Sequence, residues 1–271
     1  PVPPKPPGPD RSPADWAAPN WPSVTVHPRP ATALRPPPPP HPTSPVIVAI
    51  GALLCTALPL VLTRVFEAPL RDMPLPLPMY AAVLVAVSYG PALLWWWYSS
   101  GTFGTGHRRN DVGLIMRVRD LGWGPLTWLV CFLAAAVVGS IVLRLGIPFT
   151  SNTDGIADGR SDAGFVIVTV VLAVIVAPVA EEIVFRGMVL RGLLSFTSAP
   201  AAIALQAVLF GSAHLDPAWG RGNIGLIMVL SVVGAVLGST AYICRRIAPA
   251  IIAHAIFNAV ALVGAFVGTA R

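Results

Sequence analysis

The sequence predicts an all-α protein, a polytopic transmembrane helical bundle of about seven helices behind a disordered N-terminal tail. Its 271 residues are 55% apolar and only 11% charged, and the mean hydropathy is +0.71. Ordinary globular domains carry about 25% charged residues, so too few are present here to cover a water-facing surface of normal size. A soluble enzyme, a wholly disordered chain and a coiled coil are excluded as whole-chain readings. Apolar runs recur at close to bilayer length, each span needing about 20 residues.

Residues 1–45 hold 18 of the 30 prolines, including the run Pro36–Pro40. Proline lacks an N–H and fixes φ, so this stretch favours extended polyproline II and builds no core. It reads as a disordered Pro-rich tail, and nothing at the start of the chain has the pattern of a cleavable signal peptide. Spans follow at 46–63, 77–98, 125–147, 164–193, 199–215, 223–244 and 247–269. Pro59 interrupts the first and Gly90-Pro91 the second, which ends in Trp95, Trp96, Trp97 and Tyr98, a cluster suited to a membrane–water interface. The segment 111–123, with Ile115, Met116, Arg117, Arg119 and Leu121, is either a short amphipathic helix on the inner surface or an ordinary loop. Cys55, Cys131 and Cys244 lie in or beside apolar runs, without metal or disulfide spacing, and read as small apolar filler.

Orientation follows from the cations, which are spread over short loops and do not suggest nucleic acid. With the N-terminus inside, Lys5, Arg11, Arg29, Arg35, Arg108, Arg109, Arg117, Arg119, Arg191, Arg245 and Arg246 face the cytoplasm. Arg64, Arg71, Arg160, Arg221 and Arg271 face outward. Eleven against five favours a cytoplasmic N-terminus and an outside C-terminus in the cell membrane.

Ionisable groups inside a bilayer are costly and by default mark function. They are Arg144, which sits near a span end and can snorkel, the Glu181-Glu182-Arg186 group, His214 and His254. The chain has only three glutamates, and two are adjacent. Glu182 and Arg186 are four apart and share a helix face. Glu181 is turned away by about 100°. One carboxylate is thus held by arginine and the other is free to act as a general base, although a structural ion pair fits the same pattern. His254 and Asn258 share another helix face. Glu181 and His214 each lie roughly 20 Å from the turn that joins their helices, so an antiparallel hairpin sets them level. His254 joins them if the 164–193 helix, about 45 Å long, projects roughly 10 Å beyond a 30 Å core.

Glu181-Glu182-x-x-x-Arg186, then Phe210-x-x-x-His214, then His254-x-x-x-Asn258, in that order, resemble the motifs of the CPBP family. These are the CAAX protease and bacteriocin-processing (Abi) intramembrane proteases, related to type II CAAX prenyl endopeptidases. The resemblance covers about 124–270 and implies a catalytic membrane domain at 124–271. It makes 46–123 accessory transmembrane helices with a cytoplasmic loop. It also implies that Glu181 activates the attacking water, that His214 helps hold it, that His254 and Asn258 face the oxyanion, and that Glu182, Arg186 and Phe210 support the site. Family members are described both as metalloproteases and as glutamate proteases. A metal-free mechanism is favoured, with zinc on Glu181, His214 and His254 as the alternative. The expected substrate is a membrane-associated protein or a prenylated CAAX-type peptide. The competing readings are a non-catalytic bacteriocin self-immunity or scaffold protein, and a transporter using the glutamates as a proton or cation relay.

Overall fold

The structure, a computed structural model, describes residues 44–71, 75–153, 156 and 161–268. The Pro-rich tail expected at 1–45 lies outside the described residues, except that Ser44 and Pro45 already belong to the first helix. Arg160 and Arg271, counted in the orientation argument, also lie outside them.

All regular structure among the described residues is helical. The helices are α1 (Ser44–Arg71), α2 (Leu77–Thr102), the single turn α3 (Arg108–Asp111), α4 (Asp120–Arg144), α5 (Ala163–Leu194), α6 (Ala199–Ser212), α7 (Asn223–Cys244) and α8 (Ala248–Gly268). Five stretches are long and apolar enough to cross a membrane: Pro78–Thr102, Asp120–Arg144, Ala163–Leu194, Pro217–Cys244 and Ala248–Val267. Ser44–Pro59 and Ala199–Ser212 are shorter apolar helices. The outer surface is apolar, with Leu94, Leu143 and Ile243 exposed by 71%, 69% and 69%, as a lipid-facing surface requires. The protein is a multi-pass membrane protein.

Two local features depart from the expectations, and a third decides between two readings. The span read as 199–215 ends as a helix at Ser212. At 1.5 Å per residue α6 is about 21 Å long, short of the hydrocarbon core, and His214 falls in the turn after it. Residues 112–119 are loop, so no amphipathic helix runs through 111–123. Gly113, at φ 71°, turns the chain there, and its carbonyl accepts from Ile247 N at 2.9 Å. Finally, α5 is not uniformly α. Leu172–Val176 and Ile183–Val189 are π turns, with Ala177 N–H reaching back to Leu172 O and Leu190 N–H to Phe185 O. Pro178 has no N–H to return to the preceding turn, which favours a local change of register.

Packing follows the rule of membranes, where small residues let helix backbones approach. Helix α5 is central, with α1 and α2 on it from one side, while α6 and α8 lie on α7 and α4 packs against both α7 and α8. Gly234 and Gly238 form a G-x-x-x-G stripe on α7. A Cβ at Gly234 would lie 3.1 Å from Ala207 Cα and 3.1 Å from Phe210 Cδ1. One at Gly211 would lie 2.7 Å from Ile227 O. At the opposite end of α7, Asp120 is buried and takes Arg246 Nε at 2.8 Å. A second contact from Arg246 Nη2 completes the pair, which ties the start of α4 to the α7–α8 turn. The aromatic cluster splits. Trp95 Nε1 donates to Val48 O at 2.9 Å, Trp96 Nε1 donates to Arg108 O at 3.2 Å, and Trp97 and Tyr98 face outward.

Gly234→Leu is expected to force α6 from α7, because backbone as well as side chain stands in the way. Overpacking of this kind costs about 1–3 kcal/mol. It would appear as a lowered melting temperature in detergent, while Gly139→Leu, where a Cβ meets nothing within 4 Å, should leave the melting temperature unchanged.

Candidate active site

Helix α5 delivers both glutamates to the interior. Glu182 and Arg186 are fully buried, and Arg186 Nη1 donates to Glu182 Oε1 at 2.8 Å across one helical turn. Arg186 Nη2 donates to Gly234 O at 3.1 Å, and the same carbonyl accepts Gln206 Nε2 at 2.8 Å. Only a helix with no side chain at position 234 lets α5 and α6 reach that carbonyl together. The guanidinium carbon stands 4.4 Å over the Phe210 ring, close enough for a cation–π contact. Phe210 also packs edge-on against Phe185, His214 and His254, with centroids 5.2, 5.0 and 5.7 Å away.

Both histidines have their Nδ1 atoms engaged. His214 Nδ1 lies 2.9 Å from Phe210 O. A carbonyl only accepts, so Nδ1 carries the proton. His254 Nδ1 lies 3.0 Å from Glu182 Oε1, which already accepts from Arg186, so this Nδ1 donates as well. In the neutral ring the Nε2 atoms are then acceptors. Each lies 3.8 Å from Glu181 Oε2. That oxygen is buried and has no hydrogen-bond partner among the described residues.

The other oxygen of Glu181 is taken. Tyr89 Oη, from α2, donates to Glu181 Oε1 at 2.6 Å. Asn258 lines the same cavity one turn beyond His254, but one of its amide N–H groups is committed to Ala173 O at 2.8 Å. That carbonyl lies in the π turn preceding Pro178, so the side chain compensates an irregularity of the helix that carries Glu181. The cavity has a volume of about 470 Å³ and brings together Glu181, His214, His254, Asn258, Phe210 and Tyr89. Its remaining walls are mainly apolar, including Leu84, Phe165, Leu172 and Leu262.

Two functional-site neighbours were not legible in the motifs. Gln206, fully buried, is a neutral amide in an apolar helix, which a search for ionisable groups passes over. Tyr89 carried no signal either, and it brings a helix read as accessory into contact with the site. As for a metal, no group of three or more His, Cys, Asp and Glu among the described residues is gathered closely enough to hold an ion. Glu181 Oε2 lies 3.8 Å from the Nε2 atoms of both His214 and His254.

Glu182→Gln is expected to lower stability without touching the Glu181 side of the cavity. It leaves Arg186 buried beside a neutral amide, and breaking a buried pair from one side typically costs about 3–5 kcal/mol. Denaturation in mild detergent checks this. A variant as stable as the parent would mean that Arg186 is sustained by Gly234 O and Phe210 alone.

Residues 163–260 match the family model described as Type II CAAX prenyl endopeptidase Rce1-like, a narrower stretch than the 124–270 read from the motifs. No curated protein and no solved structure matches the chain. The matched segment contains Glu181, Glu182, Arg186, Phe210, His214, His254 and Asn258, and this similarity over residues 163–260 supports the CAAX protease (CPBP) family.

Proposed function

We propose that the chain is an intramembrane endopeptidase of glutamate–histidine type. The observation that carries this reading is the buried, unpartnered Glu181 Oε2 with two imidazole Nε2 atoms 3.8 Å away. Two acceptor nitrogens, each 3.8 Å from an unpartnered acceptor oxygen, call for an occupant that brings protons or positive charge. Separations of 3.8 Å are too long for hydrogen bonds and suit a shared water. Such a water donates to two of the three and presents a lone pair to a peptide carbonyl.

In this mechanism Glu181 Oε2 takes the water proton as the oxygen bonds to the carbonyl carbon. The carbonyl oxygen becomes an oxyanion, and when the C–N bond breaks the proton passes from Glu181 to the leaving amine. Donors aimed at an oxyanion typically supply several kcal/mol, about 2.7–4 for a single one. The second N–H of Asn258 is available for this. Donation from His254 Nε2 would require a proton there as well as on Nδ1, where Glu182 Oε1 lies at 3.0 Å. No step here runs through a metal. Zinc on Glu181, His214 and His254 is the alternative, and it predicts that a chelator abolishes activity and zinc restores it.

The apolar walls favour a substrate presented from the bilayer, a membrane-associated protein or a prenylated CAAX-type peptide. Purified protein should cleave such peptides. Glu181→Gln keeps the shape but cannot accept a proton, so its rate should fall about 10²–10⁴-fold with expression and melting nearly unchanged. Full activity in Glu181→Gln would overturn the assignment. Absence of cleavage by the parent protein across both peptide types would favour the immunity or scaffold reading.

The same account puts the N-terminus in the cytoplasm. Arg108, Arg109, Arg117, Arg119, Arg191, Arg245 and Arg246 all occupy the end of the bundle where α2 ends and α4 and α8 begin. A cysteine at Arg119 should therefore resist a membrane-impermeant thiol reagent in intact cells and react after permeabilisation. Reaction in intact cells would invert the topology.

A further inference from the structure

We propose that Tyr89 is a positioning residue for the attacking water, acting through Glu181. This deepens the peptidase reading and rests on it. The phenol lies on α2, outside the 163–260 segment that matches the family, and no motif in the sequence pointed to it.

The two oxygens of Glu181 have different surroundings. Oε1 accepts the Tyr89 hydroxyl at 2.6 Å, while Oε2 faces His214 and His254 and accepts from neither. A carboxylate on a long side chain has a freely rotating terminal torsion, broad and two-fold in its preferences. Pinning one oxygen fixes the plane of the group and turns the other toward the two Nε2 atoms. Hydrogen bonds to an ionised acceptor are short and about twice as strong as neutral ones, and a 2.6 Å contact belongs to that class. Pre-organisation of this kind lowers the barrier without adding a reacting group.

Beside Tyr89 on α2, Ser88 Oγ donates within its own helix, to Leu84 O at 2.8 Å, and Pro91 lies inside the helix two residues beyond Tyr89. Leu84 and Val85 line the same cavity, which makes α2 a wall of the site as well as the source of this hydrogen bond.

The test compares Tyr89→Phe, which deletes only the hydroxyl, with the parent full-length protein, a Ser88→Ala control and the same protein carrying fluorotyrosine at position 89. Cleavage of a membrane-embedded reporter peptide should show kcat lowered roughly 10- to 100-fold in Tyr89→Phe with KM nearly unchanged. Ser88→Ala should match the parent, and the fluorotyrosine protein, whose phenol is a stronger donor, should retain kcat where phenylalanine does not. A Tyr89→Phe enzyme with parental kcat, or one whose KM alone rises, would overturn the proposal, the latter making Tyr89 a substrate contact. If the parent protein cleaves nothing, the peptidase reading fails by itself. The hydrogen bond is then judged by melting temperatures of Tyr89→Phe, Glu181→Gln and the double variant. Non-additive shifts support the Tyr89–Glu181 coupling, and additive ones overturn it.

Discussion

A single carboxylate oxygen, Glu182 Oε1, holds the site together. It accepts from Arg186 on its own helix and from His254 on α8, at 2.8 and 3.0 Å, with all three side chains buried. Taking these charges out of a high-dielectric medium is expensive, and such pairs are a weak source of net stability. What they supply here is direction. Arg186 is carried on to Gly234 O, where Gln206 joins it, so α5, α6 and α7 meet at one carbonyl. His254 is left with its proton on Nδ1 and its Nε2 lone pair toward Glu181. Phe210 seals the other side of this assembly and supplies the carbonyl that fixes the His214 ring.

The division of labour between adjacent glutamates follows from helix geometry. Residues one apart are rotated by about 100°. Glu182 therefore faces the packed interior while Glu181 faces the cavity, although the two share a backbone. The π turns on either side of the pair adjust where each face points. The first leaves a helical irregularity that Asn258 satisfies through Ala173 O. Asn258 is thereby both a wall of the cavity and a brace of the helix that bears Glu181.

Much of this was readable from residue types. Most helices begin and end within about five residues of the apolar runs, because a bilayer leaves little freedom in where polar backbone ends can lie, although α1 continues to Arg71, past the run read as ending at 63. Glu182 and Arg186 were paired by their i,i+4 spacing, since that spacing alone sets them on one face. The residues that escaped notice are those whose role depends on a neighbour from elsewhere in the chain. Tyr89 is an aromatic in an apolar helix, and its pattern does not distinguish a lipid-facing ring from one that meets a glutamate 92 residues away. Gly234 matters because its carbonyl is approached from two other helices, which no local pattern records. The end of α6 at Ser212 was hidden because Ala213 and Leu215 continue the apolar run while the backbone turns. Residues 112–119 left a short helix and a loop open, and Gly113, which turns the chain at positive φ, goes with the loop.

The central claim is that Glu181 Oε2, His214 Nε2 and His254 Nε2 share one water. X-ray diffraction from crystals of the full chain, with data on both sides of the zinc absorption edge, tests it most directly. The account predicts a single peak of water-like density within about 3 Å of all three atoms, with no anomalous signal. An anomalous peak at that position would contradict the metal-free mechanism. A His214 ring turned away from Glu181, with no shared density, would contradict the site itself.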